Sequence, residues 1–154
     1  MINLKINLKK LITYVIIPLA LGGIVGYLSG SFNGYKGMVT PSFAPPGFLF
    51  PIVWSILYIL MGISRYIIEI NGNDSDARLL YNAQLFVNLI WPFFFFTLKW
   101  FLFSFIWLLL LITLVILMII KFYKISKTSA YIQIPYLLWI IFASILNFSI
   151  YFLN

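Results

Sequence analysis

The stretch Tyr81-Asn82-Ala83-Gln84-Leu85-Phe86-Val87-Asn88-Leu89-Ile90-Trp91-Pro92-Phe93-Phe94-Phe95-Phe96 is apolar enough to cross a bilayer, yet it carries amides along its length. In hydrocarbon a side-chain amide is costly unless it finds a hydrogen-bond partner, so Gln84 and Asn88 are expected to face other helices or a cavity rather than lipid. At 3.6 residues per turn, Tyr81, Gln84, Asn88 and Trp91 fall within an arc of roughly 80°. One face of this helix is polar and aromatic, so it requires neighbours to cover that face. The segment therefore predicts a bundle with an interior.

The rest of the chain supplies the neighbours. Of its 154 residues, 64% are hydrophobic and only 8% charged, and the mean hydropathy is +1.08. A soluble domain of that composition would have to expose large apolar patches. The chain reads as an integral membrane protein. About 20 apolar residues are needed to span a core about 30 Å thick, and five such runs occur, at residues 11–30, 48–68, 79–98, 101–120 and 130–152. We expect an all-α bundle of five transmembrane helices forming one domain over residues 1–154. Only Lys99-Trp100 separates the third and fourth runs, which predicts a tight helical hairpin. The basic Met1 to Lys10 resembles the start of a signal peptide, but the apolar run after it is about twice the usual length of a signal core and lacks a closing small-residue site. It is read as a mature helix.

Charge sorts by side. Counting the N-terminal segment (Lys5, Lys9, Lys10), the second connection (Arg65, Arg78) and the fourth (Lys121, Lys124, Lys127) puts eight basic residues on one side of the membrane, with Lys36 and Lys99 on the other. By the positive-inside rule the N-terminus is expected in the cytoplasm and the C-terminus outside. The net charge of +7 then reads as a topology signal and an attraction to anionic lipid head groups, with no nucleic-acid partner.

The chain has no His and no Cys, which excludes the usual zinc sites, Ser-His-Asp and Cys-His nucleophile systems, iron–sulfur clusters and common haem ligation. No metal site and no covalently bound cofactor are expected. The three acids, Glu69, Asp74 and Asp76, lie together around the turn Asn71-Gly72-Asn73-Asp74-Ser75-Asp76 and read as a solvated loop. With no carboxylate at membrane depth, a proton relay or ion-coupled transporter is disfavoured.

What remains for chemistry is aromatic rings and amides. Trp54, Tyr58 and Met61 in the second segment, and Tyr136, Trp139, Ala143 and Asn147 in the fifth, each occupy no more than roughly 80° of their helix. Taken singly, each stripe fits an ordinary core. Three together point to a shared cavity with flat, apolar walls, suited to a planar hydrophobic ligand held by stacking and a few hydrogen bonds. Gly22, Gly26 and Gly30 form a small-xxx-small ridge, which serves either packing within the bundle or a dimer seam. The first connection, Ser31 to Gly47, is long and carries Pro41, Pro45 and Pro46; it is either a lid or a rigid spacer.

Three patterns carry a family resemblance: Pro41-x-Phe43-x-Pro45-Pro46-x-Phe48-x-Phe50-Pro51-x-Val53-Trp54-x-x-Leu57-Tyr58-x-x-x-Gly62; Gln84-Leu85-x-x-Asn88-x-x-Trp91-x-x-x-Phe95-Phe96; and Pro135-Tyr136-x-x-Trp139-x-x-Phe142-Ala143-x-x-x-Asn147. In order and over nearly the whole chain, they resemble the TspO/MBR family, the translocator proteins, tryptophan-rich sensory proteins and peripheral benzodiazepine receptors. The resemblance implies a five-helix bundle, commonly a homodimer, with a pocket beneath the first loop. It implies tetrapyrroles such as protoporphyrin IX, or isoquinoline- and benzodiazepine-type molecules, as ligands, and a receptor or transport role in a bacterial plasma membrane.

By motif, Trp54 and Trp139 resemble the pocket tryptophans, Asn88 and Trp91 the third-helix contacts, Tyr35 and Pro45 the loop contacts, and Ala143 the fifth-helix floor. Tyr58, Gln84 and Asn147 complete the expected ligand-binding set on the residue reading above. The alternative implied by the resemblance is a light-dependent porphyrin-degrading enzyme, with Trp54 and Trp139 as its catalytic rings. The loop departs from the family pattern, since Gly34 precedes Tyr35, Thr40 precedes Pro41 and Phe48 replaces a frequent Trp. The fifth segment lacks the basic residue of the animal sterol motif.

Overall fold

Helix ends in this chain are written by capping residues. Asn7 accepts the Lys10 N–H at 3.0 Å and Asp74 accepts the Ala77 N–H at 2.9 Å, each satisfying a donor that the first turn leaves open. Gly30, with φ 77°, closes the first helix in the left-handed region. The computed structural model describes residues 6–72 and 74–154. Its helices are α1 (Leu8–Ser29), α2 (Leu49–Asn71), α3 (Ser75–Pro92), α4 (Phe101–Ile125), α5 (Lys127–Ile132) and α6 (Ile134–Leu153), with a π-helical turn Phe93–Thr97 prolonging α3. There is no strand among the described residues. Five spans are long and apolar enough to cross a membrane, the third being α3 with its π turn and the fifth being α5 with α6.

Several expectations need correction. The fifth segment, expected unbroken over 130–152, starts at Lys127 and is interrupted at Gln133. The fourth helix runs on to Ile125, so Lys121 and Lys124 belong to it rather than to a connection. Arg65 is not in a connection either. It lies within α2, only 4% exposed, with its guanidinium 5.1 Å from the Tyr14 ring and 6.0 Å from that of Tyr81. Glu69 lies in the last turn of α2, at the end of the second helix as expected, but it is paired, with Arg65 at 3.1 Å and Lys10 at 3.4 Å. Asp74 and Asp76 both meet Lys121, at 3.2 and 3.3 Å. The Asp74 carboxyl is held below the ordinary carboxylate range, first by the Ala77 N–H and then by Lys121. Lys5 of the basic set and Asn73 of the acidic turn lie outside the described residues.

The helices form a ring. Helix α1 packs on α2 and α3, α3 on α4, and α4 on α5 and α6, while α5 packs back on α2. In the half nearer the first connection, α2 meets α6 through rings, Phe50 lying 5.7 Å from Trp139 and Trp54 6.1 Å from Tyr136. The α3–α4 hairpin turns through Lys99 at φ 54°, closed by Leu98 N–H to Phe93 C=O and Trp100 N–H to Phe94 C=O, both 2.9 Å. It is the tight connection that the two-residue spacing predicts.

The tightest approach is between α1 and α2. A Cβ on Gly62 would sit 2.5 Å from the Tyr14 carbonyl oxygen and from Val15 Cα, so backbone rests on backbone there. Pro18, four residues after Tyr14, has no N–H to give that carbonyl, which leaves the oxygen outside the helical ladder on the side facing α2. Replacing Gly62 by Leu is expected to push α1 away and lower stability by about 1–3 kcal/mol, the usual range for overpacking. A lowered melting temperature in detergent, with helical content retained, is the outcome to look for.

Candidate functional site

Above the Gly62 contact α1 and α2 enclose, together with α3, a cavity of about 120 Å³. Helix α1 contributes Gly22 and Gly26, α2 contributes Trp54 and Tyr58, and α3 contributes Asn88 and Trp91. The α1 glycines let rings pack directly on the helix: a Cβ on Gly22 would run into the Tyr58 ring, and one on Gly26 would lie 2.7 Å from the Phe32 ring. Of the two readings of the glycine ridge, packing within the bundle describes Gly22 and Gly26; Gly30 is instead the cap of α1.

The cavity floor is a directed hydrogen-bond chain. The Tyr58 hydroxyl donates to Asn88 Oδ1 at 2.7 Å, Asn88 Nδ2 donates to the Tyr136 hydroxyl at 2.9 Å, and that hydroxyl donates to Gln84 Oε1 at 2.8 Å. Three helices, α2, α3 and α6, are joined by it. Asn88 Nδ2 carries a second N–H, for which no acceptor occurs among the described residues. Asn88 lines the cavity. Gln84 is fully buried one turn below and lines neither cavity described here. It anchors the chain.

Trp91 also lines the cavity, but its indole N–H is committed to Asn147 Oδ1 at 3.2 Å. Asn147 accepts in addition from the Ser104 hydroxyl at 2.9 Å and donates to the Phe101 carbonyl at 2.7 Å. Its amide therefore ties α3, α4 and α6 together.

A second, smaller cavity of about 10 Å³ lies beside the first, lined by Tyr35, Ala143 and Asn147. Phe50, Trp91 and Phe96 line both and so form the partition. Trp139 lines neither; it packs against Phe50 and, at 5.5 Å, against Phe142. Tyr35 meets Phe50 edge-on at 5.4 Å, and burial pushes its phenol up to about 12, so it stays a neutral donor. Both the Tyr35 hydroxyl and Trp139 Nε1 are buried without a hydrogen-bond partner. Pro45 is half-buried in the first connection and lines neither cavity.

Sequence reasoning therefore named two groups of residues that this structure holds apart. Trp54, Tyr58, Asn88 and Trp91 surround the larger cavity, whereas Tyr35, Ala143 and Asn147 surround the smaller one, with Phe50 between. The reasoning did not assign Gly22, Gly26 or Phe50 to the site. The four-residue glycine period was the available signal for the first two, and for Phe50 its place in the first family pattern, ahead of Pro51.

Asn88→Leu is expected to cut the chain at its centre, leaving the Tyr58 hydroxyl without an acceptor and the Tyr136 hydroxyl without its donor. Hydrogen bonds between helices in membranes average about 0.6 kcal/mol, so the loss should be about 1–2 kcal/mol, read as a small fall in melting temperature. Asn147→Leu, which severs three bonds across three helices, should cost more.

No group of three or more acidic side chains able to hold a metal ion occurs among the described residues. The sequence model described as the TspO/MBR family matches residues 14–153. The chain is 40% identical to the tryptophan-rich protein TspO of Archaeoglobus fulgidus, across 96% of this chain and 99% of that protein. It is 32% identical to protein CrtK of Rhodobacter capsulatus, over 88% and 87% of the two chains. It is 30% identical to the translocator protein of Sus scrofa, over 90% and 86%. With five membrane-spanning helices in one ring and a match that covers all five, this integral membrane protein belongs to the TspO/MBR family.

Proposed function

We propose that this protein is a receptor or transport protein for tetrapyrroles and related planar hydrophobic ligands, held in the cavity between α1, α2 and α3. The observation that carries the reading is the cavity's chemistry, in which the Trp54 and Trp91 rings form walls and Asn88 offers an uncommitted N–H at the floor. Flat apolar surfaces favour a flat apolar body, and one fixed donor orients a carbonyl or carboxylate on its edge. The names of the translocator and tryptophan-rich relatives are consistent with such a role.

The cavity of about 120 Å³ is smaller than the roughly 300–1,000 Å³ of drug-sized sites. A macrocycle therefore requires the Phe50 partition to turn aside. That movement merges the two cavities and brings Tyr35, Ala143 and Asn147 to the ligand, with Trp139 beside the space Phe50 leaves. The residues of the family pattern then surround one site.

Protoporphyrin IX titrated in the dark, followed by quenching of tryptophan fluorescence, tests this. Trp54→Phe should weaken binding more than Trp139→Phe, because Trp54 lines the cavity directly and Trp139 only behind Phe50. Equal, unchanged quenching in both variants would remove the cavity from consideration. Loss of the porphyrin absorption band on illumination, abolished in either variant while dark binding persists, would instead favour the photo-oxidative enzyme.

The proposed orientation places the N-terminus in the cytoplasm and the C-terminus outside, following the division of basic residues. Since the chain has no native cysteine, Lys36→Cys should be labelled by an impermeant thiol reagent on intact cells and Lys124→Cys should be protected. Reversed labelling would invert the topology.

A further inference from the structure

The cavity reaches the outside of the bundle at membrane depth. Gly23 of α1 and Ser55 of α2 line it, and both are exposed on the helix surface. A Cβ on Gly23 would find no atom within 4 Å, so the α1 side of this opening is vacant space. Gly23 lies six residues before the end of α1, and Ser55 six residues after the start of α2. At 1.5 Å per residue, the opening sits about 9 Å inside each helix, within the hydrocarbon. Around it the surface is apolar, with Ile24, Ile52 and Ile56 each more than half exposed.

The aqueous end is fastened instead. Within the first connection a Cβ on Gly34 would lie 3.2 Å from Gly47 Cα, so the two arms of the loop cross in contact. At its tip Val39 N–H donates to Asn154 Oδ1 and Asn154 Nδ2 donates to the Val39 carbonyl, both at 2.9 Å. Phe43 packs on Phe142 at 6.4 Å and Tyr35 on Phe50 at 5.4 Å. A ligand arriving from water would have to break these contacts together. One arriving from the bilayer meets an opening already present.

The geometry points to loading from the lipid phase, through the gap between α1 and α2 framed by Gly23 and Ser55, with the first connection acting as a fixed cover. This rests on the reading that the ligand is a hydrophobic molecule held in this cavity. The ligand class that follows is one dissolved in the membrane: a planar molecule that enters edge-first and carries a hydrogen-bond acceptor for Asn88.

The route is tested by rates in lipid nanodiscs, with protoporphyrin IX as the probe. Gly23→Trp and Ser55→Trp narrow the gap from opposite sides, and association and dissociation should both slow by about tenfold or more, since affinity differences within one site otherwise fall mostly on dissociation. A disulfide between Val39→Cys and Asn154→Cys, its formation verified by mass, holds the cover shut and should leave both rates within about twofold of the parent. Unchanged association in both tryptophan variants overturns the route, as does slowed association in the cross-linked protein. Failure of the unaltered protein to bind protoporphyrin IX at all would sink the ligand reading and the route with it. Binding that is limited by the cover would sink the route alone.

Discussion

An amide in hydrocarbon has few places to go, and the position of Asn88 constrains much of this molecule. Its oxygen takes the Tyr58 hydroxyl of α2 and its nitrogen serves the Tyr136 hydroxyl of α6. Because every donor in a low-dielectric interior needs an acceptor, three helices must present their polar atoms at one depth and in one direction. Asn147 repeats the device nearer the loop side, drawing on Trp91, Ser104 and the Phe101 carbonyl. The half of the bundle nearer the first connection is thus held by directed bonds where lipid offers no hydrophobic force to press helices together.

Bonds of this kind fix distance, and the space left over is the cavity. Glycine at 62 lets α1 rest on the backbone of α2 at one level. Higher up, Gly22 and Gly26 let the Tyr58 and Phe32 rings rest on α1 where a Cβ would otherwise stand. The same small residue admits backbone in one place and an aromatic ring in another, according to what faces it. Of the rings that line the cavity, Tyr58 and Trp91 have their polar atoms tied to other side chains, Asn88 and Asn147. Trp91 is the plainest case, its N–H fixed by Asn147 and its ring turned to the cavity.

Basic and acidic groups are used sparingly, at the ends of helices. Arg65 is the exception, buried between two tyrosines with Glu69 one turn away. Its position inside α2 was hidden from a reading by charge alone, because an arginine near the end of an apolar run looks the same in a connection or in a helix that continues past it. The overrun of the helices beyond the apolar stretches, on to Asn71 and to Ile125, comes from ion pairs and caps that hydropathy does not weigh.

Number, order and membrane character of the spans follow from hydropathy, since length and apolarity are properties of each segment by itself. So does the need for an interior, because Gln84 and Asn88 cannot face lipid whatever surrounds them. The pattern of aromatic rings and amides also sufficed to suggest the family. What the sequence could not assign is which side chains share a space. Trp54 and Trp139 look alike by motif, yet one lines the larger cavity and the other stands behind Phe50. Likewise Asn88 and Asn147 look alike as buried amides, but Asn88 borders the larger cavity and Asn147 the smaller one. Those distinctions depend on which helix lies opposite, at what depth and with which ring between, and only tertiary packing decides that.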